Sequence, residues 1–361
     1  MWRSLVSMIL ALPIALPAPT AEGSRNGNPL PLPCGDWVVT TPQLYSDATI
    51  TLRGNLIIER GGSLDLRGVT LRMDGEVDGD RRIEIHEGGA LFGGVSGISG
   101  RHTEIVRGDG LGRYAFRVFR GGRIRLVGVT VHDAGWDEVH PGLVIEGPGP
   151  SAETDVNLLD CDFGENFVGL TLRGYSTTIV ASRFLSNERA GIVVENARVK
   201  LDTVEIRDQA LGLVLQESAR AELTSLLVSE NDLGLLNHGS QLDLGYSVFA
   251  NNGLHVRAEG PGQVEIHDNV FAVGGGAVLA TGDAAPALAH NDLLGNAFGV
   301  RNENESLDPP ISATENFWGA ADGPSGSGAG SGNSVSDGVE FDPWCTESCT
   351  RSSGSPSGGS S

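Results

Sequence analysis

The segment AGIVVENARVKLDTVEIRDQALGLVLQESARAELTSLLVSENDLGLL, residues 190–236, states one pattern twice. A glycine opens a short apolar strand, a polar turn follows, a second alternating strand comes next, and the cycle restarts. The opening step recurs as GLVIE at Gly142, GLTLR at Gly169, GIVVE at Gly191, GLVLQ at Gly212, GLLNH at Gly234, GLHVR at Gly253, GAVLA at Gly276 and GVRNE at Gly299. The steps between them are 27, 22, 21, 22, 19, 23 and 23 residues. A fixed period of this length means stacked units, because one unit cannot bury its own apolar face.

Period-two alternation marks strands, and no window carries a sustained helical period. The second strand of each unit has an inward residue at Leu158, Ile179, Leu201, Leu223, Leu244, Ile266 and Leu288. Five residues on stands a large apolar residue: Phe163, Phe184, Ile206, Val228, Phe249, Phe271 and Leu293, with Trp318 closing the row. Two residues before that row lies another: Cys161, Ser182, Val204, Leu226, Ser247, Asn269, Asn291 and Asn316. Looser units, ERGGSLDLRGVTL, HEGGALFGGVSGI and FRGGRIRLVGVTV, precede these. Strands of three to five residues that repeat this way are expected to pair in parallel with the next unit at about 4.8 Å. The expected fold is all-β, a single right-handed parallel β-helix of about eleven coils with capped ends, about 50 Å long. Phe163 and Phe184, and Phe249 and Phe271, should stack; Asn269, Asn291 and Asn316 should form an amide ladder. A sandwich or propeller would instead need antiparallel hairpin turns, and Asn-Gly pairs are rare here.

The N-terminus, MWRSLVSMILALPIALPAPTAEG, has a basic start and an apolar core too short to span a bilayer. It is expected to be an export signal over residues 1–22, followed by an extension and cap (23–48), the β-helix (49–318), a closing cap (319–349) and a Ser/Gly-rich tail (350–361). No later segment has transmembrane length, so a secreted, cell-surface or periplasmic protein without a membrane anchor is expected. The formal charge of −21, from 46 acidic and 25 basic residues, disfavours nucleic-acid partners, and the sequence shows no local basic patch. Cys345 and Cys349 in WCTESC are close enough to bridge, whereas Cys34 and Cys161 are left unassigned.

The GIxVxxS…L…F.xN coils from Gly142 to Trp318 and the closing segment from Asn316 to Trp344 resemble the pectin-lyase-like superfold. They are similar to its right-handed β-helix repeat proteins, which include carbohydrate-binding and sugar-hydrolase repeats. The resemblance spans roughly Thr49 to Trp344. It implies a fold that hosts lyases, hydrolases, epimerases, adhesins and inert stalks. A lyase of this kind needs an Arg or Lys base and a means of neutralising a uronate, often Ca²⁺ held by Asp and Glu. The hydrolase set of the family, NTD…DD…GHG…RIK, is absent.

The densest polar cluster is VHDAGWDEVHPG, with His132, Asp133, Asp137, Glu138 and His140 around Trp136. It offers acid/base groups and a sugar platform; the plainer alternative is a solvated loop anchored by its tryptophan. Its spacing matches no metal motif. Arg173, Glu195, Gln216, His238 and Arg257 form an outward row four residues after each glycine. Thr171, Val193, Val214, Leu236, His255 and Val278 form a second row two residues after it. This face can bind a glycan or simply pair with itself. Asp322, Asp337 and Asp342 suit Ca²⁺ in an exported protein, although Asp-Gly turns account for the first two without metal. Two functions follow. The first is a structural or recognition scaffold whose partner is a polysaccharide or cell-surface glycoconjugate. The alternative is a polysaccharide lyase or epimerase using His132, Asp133, Asp137, Glu138, His140 and Arg173.

Overall fold

Alternating inward apolar and outward polar residues organise a computed structural model that describes residues 35–149, 156–307 and 310–350. The segment expected to be an export signal, most of the tail and Cys34 lie outside the described residues. The strands of the described residues fall into three sheets of 14, 13 and 11 strands, and each pairs in parallel with its equivalent one coil away, except Pro324–Gly326, which pairs with the nearby Gly332–Val335. One coil runs through Ala190–Glu195 in sheet A, Arg198–Asp202 in sheet B and Glu205–Arg207 in sheet C. The 11 strands of sheet C make eleven complete three-stranded coils. The sequence rows had suggested two strands per unit. The row from Phe163 to Leu293 belongs to the third, short strand, set off from the second by a sharp corner.

The interior rows form as their spacing implies. Phe163 and Phe184 stack at 4.9 Å and 10°, and Phe249 and Phe271 lie 5.3 Å apart at 38°. Asn269 Nδ2 donates to Asn291 Oδ1 at 3.0 Å, and Asn291 Nδ2 to Asn316 Oδ1 at 2.9 Å. The same oxygens accept the backbone N–H of the preceding coil. Buried amides so arranged leave no polar group unpaired at the corner. That corner turns on one residue with left-handed φ in every coil from Asp160 onward, including Ala181, Thr203, Tyr246 and Glu315. For non-glycine residues this costs about 1–2 kcal/mol each. Hydrogen bonds to the next coil, such as Ala181 N to Asp202 O at 3.0 Å, offset it.

A second polar ladder lines the corner that leads from sheet C into sheet A. Asn166 Nδ2 donates to Asn187 Oδ1 at 3.1 Å, and Asn187 Nδ2 to Gln209 Oε1 at 2.8 Å. It resumes with Asn231 Nδ2 donating to Asn252 Oδ1 at 2.9 Å. The longer Gln209 interrupts it, and Asn231 Oδ1 is left buried without a partner.

The register differs from the sequence reading at one coil. Leu233 pairs with Leu254 and Leu235 with Val256, so the partner of Gly234 is His255, not Gly253. The 19-residue step marks this slip. His255 and Val278 therefore point inward and are fully buried, and Arg257 joins the row of Thr171 and Leu236. The imidazole fills the gap in the second ladder where Gly274 carries no amide. His255 Nδ1 accepts from Asn252 Nδ2 at 3.0 Å, and Nε2–H donates to Asn296 Oδ1 at 3.0 Å. Burial lowers its pKa to about 4, although the bond to Asn296 pulls the other way.

Other coils need glycine in this slot. A Cβ on Gly191 would lie 2.6 Å from Gln209 Nε2 and 2.7 Å from Gly212 O. Gly191→Ala should therefore lower stability by about 1–2 kcal/mol, read as a shift in denaturation midpoint, through forced repacking. Equal stability would mean that the coils separate at no cost.

The ladder is longer than the cap boundaries imply. Trp37–Val39 and Pro42–Ser46, within the segment expected as a cap, already pair with Leu56–Ile58 and Ser63–Arg67. At the other end, Gly332–Val335 and Val339–Glu340 extend sheets A and B. Trp318 lies beneath Leu293, fully buried. Cys345 and Cys349 form a disulfide with a Cα–Cα distance of 6.2 Å, and Cys349 N donates to Asp292 Oδ1 at 2.7 Å. Cys161 is a free buried thiol that burial pushes up to about 12, so it is inert at neutral pH.

Candidate functional site

The loop of residues 133–141 leaves sheet C after His132 and enters sheet A at Gly142. Asn166 Oδ1 accepts from Ala134 N at 2.8 Å, which ties the loop to the second ladder. Asp137 Oδ1 accepts the N–H groups of Val139 at 2.9 Å and His140 at 2.7 Å, and lies 3.1 Å from His140 Nδ1. Burial alone would raise the Asp137 carboxyl, but the bonds from His140 and Val139 outweigh it and hold it below the usual range. The His140 ring stacks on Trp136 at 4.3 Å, and the indole edge packs near Gly79. One face of the expected sugar platform is therefore already occupied by imidazole.

The other charges in this region are also engaged. Asp133 faces Arg107 at 3.4 Å, Glu138 faces Arg189 at 3.2 Å, and Glu188 receives Arg113 at 2.6 Å. His132 ends its strand on the outer face of sheet C, its ring beside Gly164. Arg173 is not part of this group. It sits at the far edge of sheet A, about 13 Å along the strand from the Gly142–Val168 pair.

The outer row of sheet A pairs along itself. Arg173 Nε meets Glu195 at 2.5 Å, Gln216 Nε2 donates to the same carboxylate at 3.0 Å, and Arg117 holds Glu146. His238 Nδ1 lies 3.2 Å from Glu259, which Arg257 also contacts at 2.5 Å. In the neighbouring row Thr171 and Val214 are only 2% and 5% exposed, whereas Val193 and Leu236 are half-buried. Asp322 accepts from Ser331 Oγ at 2.8 Å and Asp337 from Ser327 Oγ at 2.5 Å. The bonds from the Ser331 amide and hydroxyl hold Asp322 below the ordinary carboxylate range. Asp322, Asp337 and Asp342 do not converge, and no group of three metal-ligating side chains forms among the described residues.

A concavity that the sequence did not reveal lies on sheet B. A groove of about 440 Å³ is lined by Ser176, Thr178, Arg198, Lys200, Arg220 and Gln241, with Glu222 and Asp243 closing one side. A smaller one of about 220 Å³ continues past Glu222 and Asp243 to Tyr246 and His267. The His267 ring bridges Asp243 at 3.0 Å and Asp268 at 2.9 Å. Burial disfavours its charge, but the bonds to Asp268 and Asp243 outweigh that and raise its pKa. Held between two acceptors, it is a poor general base. The single lysine of the chain and two arginines are thus gathered on one face, although the sequence had shown no basic patch. They alternate with inward residues and recur 22 residues apart, so only the stacking unites them.

The family model described as the right-handed beta helix region matches residues 141–298. No curated protein matches the sequence. Among solved structures, a point mutant of the periplasmic alginate epimerase AlgG is similar at 11% identity and a TM-score of 0.50, covering 86% of this chain and 78% of that one. The AlgG structure without the mutation gives 12% identity and a TM-score of 0.45, covering 85% and 78%. No helix among the described residues is long and apolar enough to cross a membrane. Together with the three parallel sheets, the family-model match and the likeness to the first of these structures show the fold to be a right-handed parallel β-helix.

Proposed function

We propose that the protein is an exported β-helix scaffold that recognises polysaccharide rather than transforming it. The observation behind this reading is the way the candidate acid and base groups are used. Asp137 caps its own loop, and Asp133 and Glu138 hold arginines. Arg173 pairs with Glu195 across the sheet from them. A general base needs a free lone pair within reach of a substrate proton, and these groups are already committed to folding contacts. The stiff column instead offers long faces at a fixed spacing, suited to a polymer.

The competing reading is a uronate-polysaccharide lyase or epimerase, favoured by the exposed His140 beside Asp137 and by likeness in fold to an alginate epimerase. Incubation of the full chain with a panel of uronate polysaccharides and Ca²⁺ separates the two. We expect retardation in affinity electrophoresis, no rise in ultraviolet absorbance from unsaturated ends, and unchanged product NMR spectra. Turnover that disappears in His140→Ala would establish the enzyme reading instead.

A further inference from the structure

We propose that the groove on the outer face of sheet B is a binding site for an acidic polysaccharide, with Arg198 and Arg220 holding its carboxylate or sulfate groups. This rests on the scaffold reading above and specifies its surface and ligand chemistry. Three observations carry it.

The first is the pairing of bases. Most arginines elsewhere hold acids, among them Arg53 with Asp74, Arg113 with Glu188, Arg173 with Glu195 and Arg183 with Asp162. Arg81 and Arg101 instead bond neutral oxygens and, among the described residues, the well-separated Arg120 and Arg125 hold no acid. In a chain with 46 acidic and 25 basic residues this is the expected state. Among the described residues, Arg198 and Arg220 have no ion-pair or hydrogen-bond partner for their guanidinium groups.

The second is register. Arg198 pairs directly with Arg220 on neighbouring parallel strands, about 4.8 Å apart along the column. Like charges placed opposite each other repel. An anion between them removes that repulsion and meets two guanidinium forks suited to oxyanions.

The third is the composition of the groove. The row Ser176–Arg198–Arg220–Gln241 is built of hydrogen-bond donors on consecutive coils. The neighbouring row, Lys200–Glu222–Asp243–Glu265, turns acidic within the groove itself: Lys200 lies 3.5 Å from Glu222, and Glu222 and Asp243 line the groove. The basic stretch is therefore short. A duplex nucleic acid carries one charge per about 1.7 Å and would run straight into those acids. A polyuronate carries about one charge per sugar, at a spacing comparable with the coil rise of about 4.8 Å. Its hydroxyls suit Ser176, Thr178 and Gln241.

The test uses the full chain, with affinity electrophoresis and calorimetry at low salt. The probes are polygalacturonate, dextran sulfate, neutral dextran and duplex DNA. Arg198→Gln/Arg220→Gln is compared with Arg60→Gln/Arg207→Gln, which removes the same charge from exposed, paired arginines elsewhere. The wild type should bind polygalacturonate or dextran sulfate, and the stronger of the two identifies carboxylate or sulfate as the recognised group. The groove variant should bind about tenfold more weakly, a loss of about 1.4 kcal/mol. The control should stay within about twofold of the wild type. Acidic-polymer binding that survives in the groove variant overturns the site and leaves the scaffold reading intact. Binding of dextran alone does the same. Preference for DNA overturns the ligand class. Failure to bind any of the polysaccharides overturns both proposals.

Discussion

Replacing Asn291 by leucine is expected to lower the stability of the column by about 3–5 kcal/mol. Asn291 Oδ1 accepts from the backbone N–H of Asn269 at 2.9 Å and from its side chain at 3.0 Å. Its Nδ2 donates to Ile266 O at 2.8 Å, Ala289 O at 3.0 Å and Asn316 Oδ1 at 2.9 Å. Leucine matches the size but leaves each of these partners buried without water, and the cost of an orphaned polar group exceeds the net value of the bond it made. The corner beside it is held at left-handed φ by His290, so the backbone has little freedom to find other partners. A denaturant titration of the wild type and variant measures the difference. A change below about 1 kcal/mol would mean that the ladder is ornamental and that apolar stacking alone sets the register.

Stability should also fall by about 3 kcal/mol between pH 6.5 and pH 4 through His255 alone. The unfolded imidazole titrates near 6.5, whereas burial lowers the folded value to about 4. Within that window the unfolded chain binds a proton that the folded chain refuses, so acid favours unfolding. The contribution is complete above pH 6.5 and levels off below pH 4. His255→Gln keeps an amide between Asn252 and Asn296 but does not titrate. The difference in unfolding free energy between wild type and variant should therefore be pH-dependent across this window and flat above it. NMR of the ring gives a direct check: a folded-state titration midpoint near 6.5 would show that the imidazole is not sealed inside.

The periodic parts of this fold are legible because stacking forces chemically similar residues onto similar positions. The phenylalanine pairs and the Asn269–Asn291–Asn316 ladder follow from spacing alone. The second ladder carried a signal too, an amide three or four residues ahead of Gly169, Gly191, Gly212 and Gly234. Such asparagines look like ordinary turn residues, and the signal breaks where His255 replaces glycine. The corners are harder still. Thr203 and Tyr246 adopt left-handed φ although neither residue type favours it, because coil-to-coil bonds override local preference. The functional surface is least legible of all. Whether an exposed arginine is paired depends on side chains one coil away, so Arg173 and Arg198 look alike in the sequence and differ in the structure.

The two corners beside sheet C also differ in how much extra chain they carry. From Asp160 onward, the B-to-C corner turns on a single residue in every coil, whereas residues 133–141 are accommodated between sheets C and A. Length can thus be inserted along one seam with the cross-section preserved. At the other seam, residues 95–102 are accommodated between Ala90–Gly94 and Thr103–Arg107 in an early coil, but from Asp160 onward an insertion would have to displace the residue that makes the turn. Any lineage or designer seeking to graft a new loop onto these later coils meets that asymmetry first, and diversity should gather along the permissive edge.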